Sequence, residues 1–513
     1  MQGRIESVKG PFRGLALAAA ALTIVVLLAR AWLSLTSGSE VNLVSGVWLA
    51  HARDCRDGLF YRDLIGPAGY GGTRYFPLFF ALIAAFMQIG LDPVPAGYAA
   101  SLTGAAVLVT GSFALLKQFG LSRSAAVVVT ALATVAPYFI QQSMFAIRTE
   151  PLAAGLAVWG LMPVAAAMRR PLASWTLIGA AATCFTLGTA AKPTSVYAPA
   201  AALLAFSFSR RWADLLLLGV LTAVGLTLLA VGVDLLSDGR FFASLRAAAL
   251  AGETPGGLLT LRLLVRPVTL IATSRILTVT FVLAAATLVA APSEWRRLPA
   301  LVLITAAAVT ALALATPGTI LTNQIVDLYV AAVLFLGYFF FGRPDFSSLL
   351  RHSPKQVWDQ GASPRMAAIA TALLAALSTW MAGQNVVRVV SLGQQRDRLH
   401  VERAAVVSRV QHCAGPVLAE SPLIPILAGQ SPMLLDPFAF RVVAARSPAV
   451  AGDLIARVSQ RQFACVVLEE DPVSPRGAGW YRNVHFGWSV IDAILHNYEY
   501  RESLGGHRFY TPR

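Results

Sequence analysis

The chain has 513 residues, of which 56% are hydrophobic and only 13% charged, and its formal net charge is +15. Soluble domains carry about 25% charged residues, so this composition excludes an ordinary soluble protein and predicts an integral membrane protein. The positive charge does not indicate a nucleic-acid-binding protein, because most Lys and Arg residues of the apolar region lie in short clusters between apolar segments, as topology signals do.

The first apolar segment, residues 14–34, follows Arg4, Lys9 and Arg13. It is longer than the apolar region of a signal peptide and has no clear cleavage site, so it predicts an uncleaved membrane anchor. Ten further segments predict spans, giving about eleven in all: 97–116, 124–141, 151–168, 173–190, 194–209, 213–235, 267–291, 298–316, 324–341 and 366–383.

Residues 76–90 are a shorter apolar segment. As a helix it rises only about 22 Å, at 1.5 Å per residue, less than a hydrocarbon core of about 30 Å. Suppose that residues 76–90 do not cross the membrane and that the N terminus is cytoplasmic. Every basic cluster between spans then faces the cytoplasm, as the positive-inside bias requires. If residues 76–90 were a span, all of these clusters would face the outside. We therefore predict a mainly α, polytopic helix bundle over residues 1–383, followed by an extracytoplasmic region over residues 384–513.

This topology predicts a collection of ionisable residues at the outer ends of the spans. Arg148 and Glu150 lie at one outer junction and Lys192 at another, followed directly by the helix-breaking Pro193. Ionisable groups at such positions are costly to desolvate and indicate a functional site. The alternatives are that Lys192 merely extends to the membrane surface, and that Arg148 and Glu150 form a local ion pair.

The first outer loop, residues 36–75, carries four carboxylates. Glu40 lies within one helical turn of the predicted membrane exit and is not flanked by basic residues. Asp54 and Asp57 alternate with basic residues, which is more typical of a solvated helix face, and Asp63 follows in the same loop.

Several segments, in order along the chain, resemble the GT-C superfamily of polyprenyl-phosphate-sugar-dependent glycosyltransferases, which includes the protein O-mannosyltransferases and the lipid A aminoarabinose transferases. The segments are an acidic residue soon after the first span, "GLFYRD" at 58–63, "RYFPLFF" at 74–80 with Tyr75, "IRTEPLAAGLAVWGL" from residue 147, and "LGTAAKPTSVYAPAA" from residue 187. Residues 416–440 and 461–471 resemble the extracytoplasmic domain of many bacterial members. Each motif is weak alone, and their common order carries the resemblance.

The resemblance implies transfer of a sugar from a polyprenyl phosphate to an acceptor at the outer face of the cytoplasmic membrane. A carboxylate must accept the proton of the attacking hydroxyl, and Glu40 fits this role. Cations must neutralise the departing phosphate, and the candidates are Lys192, Arg148, Arg262 and Arg266. The expected supporting residues are Glu150, Asp54, Asp57, Asp63 and Tyr75.

Residues 384–513 predict a small α/β domain, because "PVLAE" and "CVVLEE" are typical of short buried strands. Cys413 and Cys465 precede these strands, and outside the cytoplasm they either form a disulfide or remain as two free buried thiols. The tail from Trp480 to Glu502 is rich in aromatic residues, which suits packing of a small core better than sugar stacking.

No His or Cys ligand spacing predicts a metal site, although a divalent cation bound by acidic loop residues stays open. The expected partners are a polyprenyl-phosphate-linked sugar, an unidentified acceptor and membrane lipid. Two other functions remain: a polymerase or ligase of lipid-linked glycans that uses a diphosphate donor, and a transporter or flippase. A transporter is expected to place its charged residues near the membrane midplane.

Overall fold

The computed structural model describes residues 2–73, 75–170, 174–250, 268–272, 274–315, 323–342 and 364–513. Helices dominate up to residue 411: α1 (Gln2–Ser37), α2 (Leu43–Arg56), α3 (Pro77–Gln88), α4 (Pro93–Gln118), α5 (Arg123–Thr130), α6 (Tyr138–Phe145), α7 (Glu150–Ala167), α8 (Trp175–Ala191), α9 (Tyr197–Phe208), α10 (Trp212–Leu236), α11 (Arg240–Leu250), α12 (Arg275–Ala290), α13 (Leu298–Ala315), α14 (Val326–Phe341) and α15 (Pro364–Gln411).

Each of the eleven predicted spans coincides with a helix or with a bent pair of helices. Within the described ranges, five helical segments are long and apolar enough to cross a membrane, and the pair α5 and α6, bent by 64°, is a sixth candidate. Five further apolar helices have 10 to 17 residues. At 1.5 Å per residue these do not by themselves reach across a core of about 30 Å, so length and composition support fewer complete spans than the sequence predicted. The segment at 76–90 is one of them, α3.

The structure brings the basic loops together at one end of the bundle. Arg169 donates to Gln118, and Arg211 donates to the carbonyl oxygens of Ala167 and Arg170. The turns after α4, α7 and α9 therefore lie side by side. This is the clustering that the charge pattern predicted for one membrane face.

The first outer loop, the start of α7, the end of α8 and the C-terminal domain meet at the other end. Ser45 of α2 donates to the carbonyl oxygen of Ala146, and Thr149 donates to that of Ala191. The backbone of α2 also approaches the C-terminal domain closely, since a Cβ on Gly46 would lie 2.4 Å from the amide nitrogen of Leu423. The candidate ionisable residues therefore collect at the end opposite to the basic loops.

Helix α15 connects the bundle to the C-terminal domain without a break. It packs along α1 and runs parallel to it, with Gly393 beside Leu33 and Arg403 beside Gly38. The predicted domain boundary at residues 383 and 384 falls inside this helix.

The C-terminal domain contains α16 (Leu423–Leu427), α17 (Pro437–Ala444), α18 (Pro448–Ser459), α19 (Pro475–Asn483), α20 (Trp488–Asn497) and the strands β1 (Val417–Ala419), β2 (Cys465–Leu468), β3 (Tyr498–Leu504) and β4 (His507–Pro512). The sheet order is β1-β2-β4-β3, in which β1 and β2 are parallel and the other pairs are antiparallel. The predicted α/β domain and its two predicted strands are present, and the C-terminal hairpin was not predicted.

Cys413, just after α15, and Cys465, at the start of β2, form a disulfide, so the first of the two alternatives from the sequence is the observed one. The aromatic tail mostly packs the domain core, as expected: Tyr481, Phe486 and Tyr498 are buried there. Two residues of the tail differ: Trp480 is half-buried and lines a cavity, and Tyr500 is exposed.

Candidate active site

Glu40 lies in the turn between α1 and α2 and forms a buried ion pair with Arg30. Nε and Nη2 of Arg30 donate to Oε1 of Glu40 at 2.8 and 2.6 Å, and Nη2 also donates to Oε2 at 2.8 Å. The remaining nitrogen, Nη1, donates to Oε1 of Gln141 at 2.7 Å. Burial raises the pKa of Glu40, and the Arg30 guanidinium opposes this rise. The carboxylate is thus fixed in position by a residue about two turns before the end of α1.

The turn that carries Glu40 is also held from outside by α15. Arg403 donates from Nη1 to the carbonyl oxygen of Gly38 at 2.5 Å and from Nη2 to that of Val41 at 3.0 Å. Gly38 has φ +61°, and a Cβ there would lie 2.5 Å from Arg403 Nη1. The left-handed conformation and the close guanidinium both favour glycine at this position.

A break in the third predicted span brings Gln141 to Arg30. After α5 the chain continues as a π-helical turn, residues 131–135, and Pro137 then starts α6 at an angle. The carbonyl oxygens released by the break are satisfied by side chains, since Gln141 donates to Val135 and Asn385 donates to Ala136. Irregular backbone at membrane depth requires such partners.

Lys192 belongs to a second buried cluster. It caps the end of α8, where Pro193 ends the helix, and its Nζ lies 3.8 Å from Oε1 of Glu150 and 3.0 Å from the carbonyl oxygen of Asn323. Asn323 donates to the same Glu150 oxygen at 2.9 Å, while Oε2 of Glu150 is buried without a hydrogen-bond partner among the described residues. Lys192 is 7% exposed, so it does not simply extend to the membrane surface.

Asp327 completes this second cluster from α14. It is buried, and one of its oxygens accepts from Thr194 Oγ1 at 3.1 Å. Two carboxylates and one lysine therefore share a buried region at the junction of α7, α8 and α14. The ion pair compensates the cost of burying these charges only in part.

Arg148 is not part of either ion pair. Its Nε is buried and has no hydrogen-bond partner in the described part of the chain, and no ion pair with Glu150 is formed there. The side chain instead lines a cavity of about 410 Å³ between the bundle and the C-terminal domain. This volume is in the range of small-ligand sites.

The cavity has one wall from each part of the molecule. Residues 41–44, which directly follow Glu40, and Arg148 form the bundle side, and Arg403 contributes from α15. The C-terminal domain contributes Ser421, Leu423, Ile424, Glu469, Trp480, His485, Gly505 and His507. Glu40 and Lys192 do not themselves line it, so the structure places them beside the cavity in separate buried ion pairs rather than in one open pocket with Arg148.

A fully buried carboxylate organises the wall from the C-terminal domain. Glu420 accepts from His485 Nδ1, Trp480 Nε1, Tyr481 Oη and the backbone amide of Glu469, all at 2.7 to 2.8 Å. These bonds, foremost that of His485, lower the pKa of Glu420 although burial alone would raise it. Burial and the nearby Glu420 raise the pKa of Glu469 to about 8.

The three aspartates of the first outer loop differ in their burial and in their partners. Asp54 is buried and accepts two hydrogen bonds from Arg62, at 2.6 and 2.7 Å, so the prediction of a solvated helix face is wrong for it. Asp57 is on that face and pairs with Arg56, and Asp63 is exposed. The Tyr75 ring packs on Trp48 at 4.4 Å between centroids. Arg262 and Arg266 lie outside the described residues.

The described residues do not form a metal site, since no group of three or more His, Cys, Asp or Glu side chains among them is placed to hold an ion. Glu40 is engaged by Arg30 and Asp54 by Arg62. These two acidic residues of the first outer loop therefore have basic partners in the protein.

Comparison with solved structures identifies the fold. No protein-family profile and no curated protein sequence matches the chain. The crystal structure of ArnT from Cupriavidus metallidurans bound to undecaprenyl phosphate is similar over 97% of this chain and 98% of that chain, with a TM-score of 0.60 and 12% identity. The Archaeoglobus fulgidus oligosaccharyltransferase is similar over 98% of this chain and 74% of that chain, with a TM-score of 0.55 and 13% identity.

The chain has the fold of ArnT and of the archaeal oligosaccharyltransferase. The similarity to ArnT extends over nearly the full length of both chains, so it includes the C-terminal domain as well as the helix bundle. The same archaeal enzyme, in complex with an inhibitory peptide and a dolichol-phosphate, matches at a TM-score of 0.53. At these identities the comparison establishes the architecture, and the residues of the site have to be argued from their own contacts.

The sequence did not single out Arg30, Arg403, Glu420 or Glu469. Arg30 did carry a signal, because a charged residue within an apolar span is costly and indicates a specific partner. The other three lie in segments of ordinary composition, where the sequence does not reveal which charged side chains the fold buries.

Proposed function

We propose that the protein is a membrane glycosyltransferase that moves a sugar from a polyprenyl-phosphate donor to an acceptor. The observation that carries the proposal is the cavity of about 410 Å³ in which Arg148 and the residues after Glu40 face the C-terminal domain, in a chain with the GT-C fold. The ArnT structure of the same fold was determined with undecaprenyl phosphate, which supports a lipid-phosphate donor here.

In the proposed reaction the acceptor hydroxyl attacks the anomeric carbon of the donor sugar. A new bond forms from that oxygen to the carbon, the bond from the carbon to the phosphate oxygen breaks, and the lipid phosphate leaves with the electron pair. Glu40 takes the hydroxyl proton, because burial has raised its pKa toward the range useful for a base. Arg30 keeps its carboxylate in a single orientation.

Arg148 is proposed to bind the departing phosphate. Its Nε has no hydrogen-bond partner among the residues that the structure describes, and a guanidinium can bind two phosphate oxygens in parallel. A preorganised cation in a site that excludes water stabilises developing negative charge strongly. Lys192 contributes positive potential nearby, while its direct contacts are with Glu150 and Asn323.

The arrangement of charges favours transfer over transport. Glu40, Arg148 and Lys192 lie at the end of the bundle that carries the C-terminal domain, whereas transporters bind their substrates near the midplane. We propose that this end faces outward from the cytoplasmic membrane and that the basic loops face the cytoplasm.

The test is release of undecaprenyl phosphate from a panel of undecaprenyl-phosphate-linked sugars by the purified protein, with detergent-solubilised cell envelope added to supply acceptor hydroxyl groups. Glu40→Gln should lower turnover by roughly 10²- to 10⁴-fold, the usual effect of losing a general base. Asp57→Asn is the matched control, because Asp57 is an exposed carboxylate of the same loop. Full activity of Glu40→Gln would reassign the base to Glu150, and absence of release from every donor would contradict the proposal.

A further inference from the structure

The wall of the cavity from the C-terminal domain contains a carboxyl group without a partner. Glu469 lines the cavity, and no hydrogen bond or ion pair reaches its side chain from any residue that the structure describes. Its neighbour Glu470 is different, because that side chain pairs with Arg476 at 2.9 Å. Glu469 is directed toward the cavity although the adjacent Glu420 already carries negative charge.

A partly buried carboxyl group without a partner lowers stability, since nothing in the protein replaces the water that it loses. Such a group is retained where a ligand supplies the missing contact. The backbone amide of Glu469 donates to Glu420, and this bond fixes the position of the backbone from which the Glu469 side chain extends.

Glu420 also fixes the two rings beside Glu469. Trp480 donates its Nε1 to Oε1 of Glu420, His485 Nδ1 lies 2.7 Å from the same oxygen, and the two rings are 4.6 Å apart between centroids. Both rings line the cavity. The fold therefore presents an indole, an imidazole and a carboxyl group at fixed relative positions on one wall.

These groups fit a hydroxylated ring. A carboxyl oxygen and an imidazole nitrogen accept hydrogen bonds from hydroxyl groups, and an indole packs against the C–H bonds of a ring face. A phosphate group does not fit beside Glu420, because this carboxylate is ionised and like charges repel. The bundle side of the cavity, with Arg148, suits the anionic part of a substrate.

We propose that Glu469, Trp480 and His485 form a sugar-binding subsite in the C-terminal domain. This inference rests on the proposed function, because that function identifies the ring as a sugar. The ring belongs either to the sugar of the donor or to a sugar of the acceptor. Glu469 and His485 hold its hydroxyl groups, and Trp480 contacts its apolar face. The subsite orients the ring, and the chemical step takes place at the bundle side of the cavity.

The experiment measures binding of a panel of methyl glycosides, including amino sugars, to the purified full-length protein by saturation-transfer NMR. At least one glycoside should bind the wild type, and Glu469→Ala and Trp480→Phe should each weaken that binding at least fivefold. Glu470→Gln and Trp488→Phe are the matched controls, because both residues belong to the same domain and do not line the cavity. Thermal unfolding of each variant shows that it is folded.

Two competition measurements show whether the bound ring belongs to the donor or to the acceptor. If it is the sugar of the donor, an undecaprenyl-phosphate-linked sugar displaces the glycoside and undecaprenyl phosphate alone does not. If it belongs to the acceptor, the glycoside binds in the presence of the lipid-linked sugar. Either result supports the subsite. Absence of binding to the wild type for every glycoside, or equal binding by wild type, Glu469→Ala and Trp480→Phe, overturns it.

Undecaprenyl phosphate binding separates this inference from the proposed function. The Glu469 and Trp480 variants should bind the lipid phosphate within twofold of the wild type. A wild-type protein that binds a glycoside at the subsite but does not bind undecaprenyl phosphate would leave the subsite standing and contradict the donor that we propose.

Discussion

Lys192 illustrates how a single residue can serve both stability and charge placement. It is the only cation among the described residues within 4 Å of Glu150, and Asp327 lies in the same buried cluster. Removing one member of a buried group of charges leaves the others uncompensated, which costs about 3–5 kcal/mol.

We therefore expect Lys192→Met to destabilise the protein by about this amount, and the double variant Lys192→Met/Glu150→Gln to recover part of the loss. Thermal or denaturant unfolding of the two single variants and the double variant in the same detergent measures the coupling. Additive effects of the two substitutions would show that the lysine and the carboxylate do not interact.

Glu469 predicts a specific dependence of stability on pH. Its pKa is raised to about 8 in the folded protein. Between the ordinary pKa of a glutamate, about 4.3, and this value, the folded state holds a proton that the unfolded state has released, so stability falls as pH rises through this window.

The decrease in Tm between pH 5.5 and pH 8 should consequently be larger for the wild type than for Glu469→Gln, which cannot ionise. Glu470→Gln should keep most of the wild-type decrease, because Glu470 is paired with Arg476 and contributes least to the raised pKa of Glu469, after burial and Glu420. If Glu469→Gln shows the same decrease as the wild type, the carboxyl group is ionised across this range.

At the scale of elements, α15 couples the C-terminal domain to the proposed base. Arg403 bonds the carbonyl oxygens of Gly38 and Val41, on either side of Glu40, while Arg53 of α2 donates to those of Gly429 and Gln430 in the domain. The first outer loop is thus held from both sides, by Arg403 on two of its own carbonyl oxygens and by its Arg53 on two carbonyl oxygens of the domain.

Without the hydrogen bonds from Arg403, the turn between α1 and α2 that carries Glu40 should be able to move. Since small displacements of a reacting group cost much of the rate, we expect Arg403→Ala to lower turnover roughly 10²-fold while leaving the affinity for undecaprenyl phosphate within a few-fold. Arg403→Lys should restore little of the turnover, because one ammonium group cannot reproduce the two-pronged donor geometry of the guanidinium.

The control for this prediction is His400→Ala, an exposed position one turn earlier on the same helix. Gly38→Ala tests the same contact from the other side, because its Cβ would collide with the Arg403 guanidinium and because φ +61° disfavours a side chain. Unchanged turnover in both Arg403→Ala and Gly38→Ala would contradict the proposal that α15 positions Glu40.

For the whole molecule, the separation of charges between the two ends predicts the orientation in the membrane. The basic turns after α4, α7 and α9 meet at one end, and the C-terminal domain with its disulfide lies at the other. The positive-inside bias places the first end in the cytoplasm, and a disulfide is typical of an oxidising compartment.

Labelling with a membrane-impermeant thiol reagent tests this orientation in a chain whose Cys55 and Cys184 are replaced by serine. A cysteine introduced at the exposed Val473 of the C-terminal domain should react in intact cells. One introduced at Arg123, at the start of α5, should react only after the membrane is permeabilised. The reverse pattern would invert the topology.

The sequence alone determined that this is a membrane protein, where its helices lie along the chain, and at which end of the bundle the charged residues collect. These follow from local properties: the length of apolar runs, the positions of basic clusters and the proline after Lys192. The two first strands of the C-terminal domain and the choice of Cys413 and Cys465 as candidates for a disulfide were also local signals. The order of weak motifs was enough to predict the fold that the solved structures then identified.

Only the tertiary structure decided which charged residues are partners. Arg30 pairs with Glu40 and also with Gln141, which the π-helical turn and Pro137 of the third predicted span bring alongside. Asp54 is buried because Arg62 folds back to it, and Arg148 faces a cavity rather than Glu150. Burial and pairing depend on contacts between segments distant in the chain, and the composition around a residue carries no information about them.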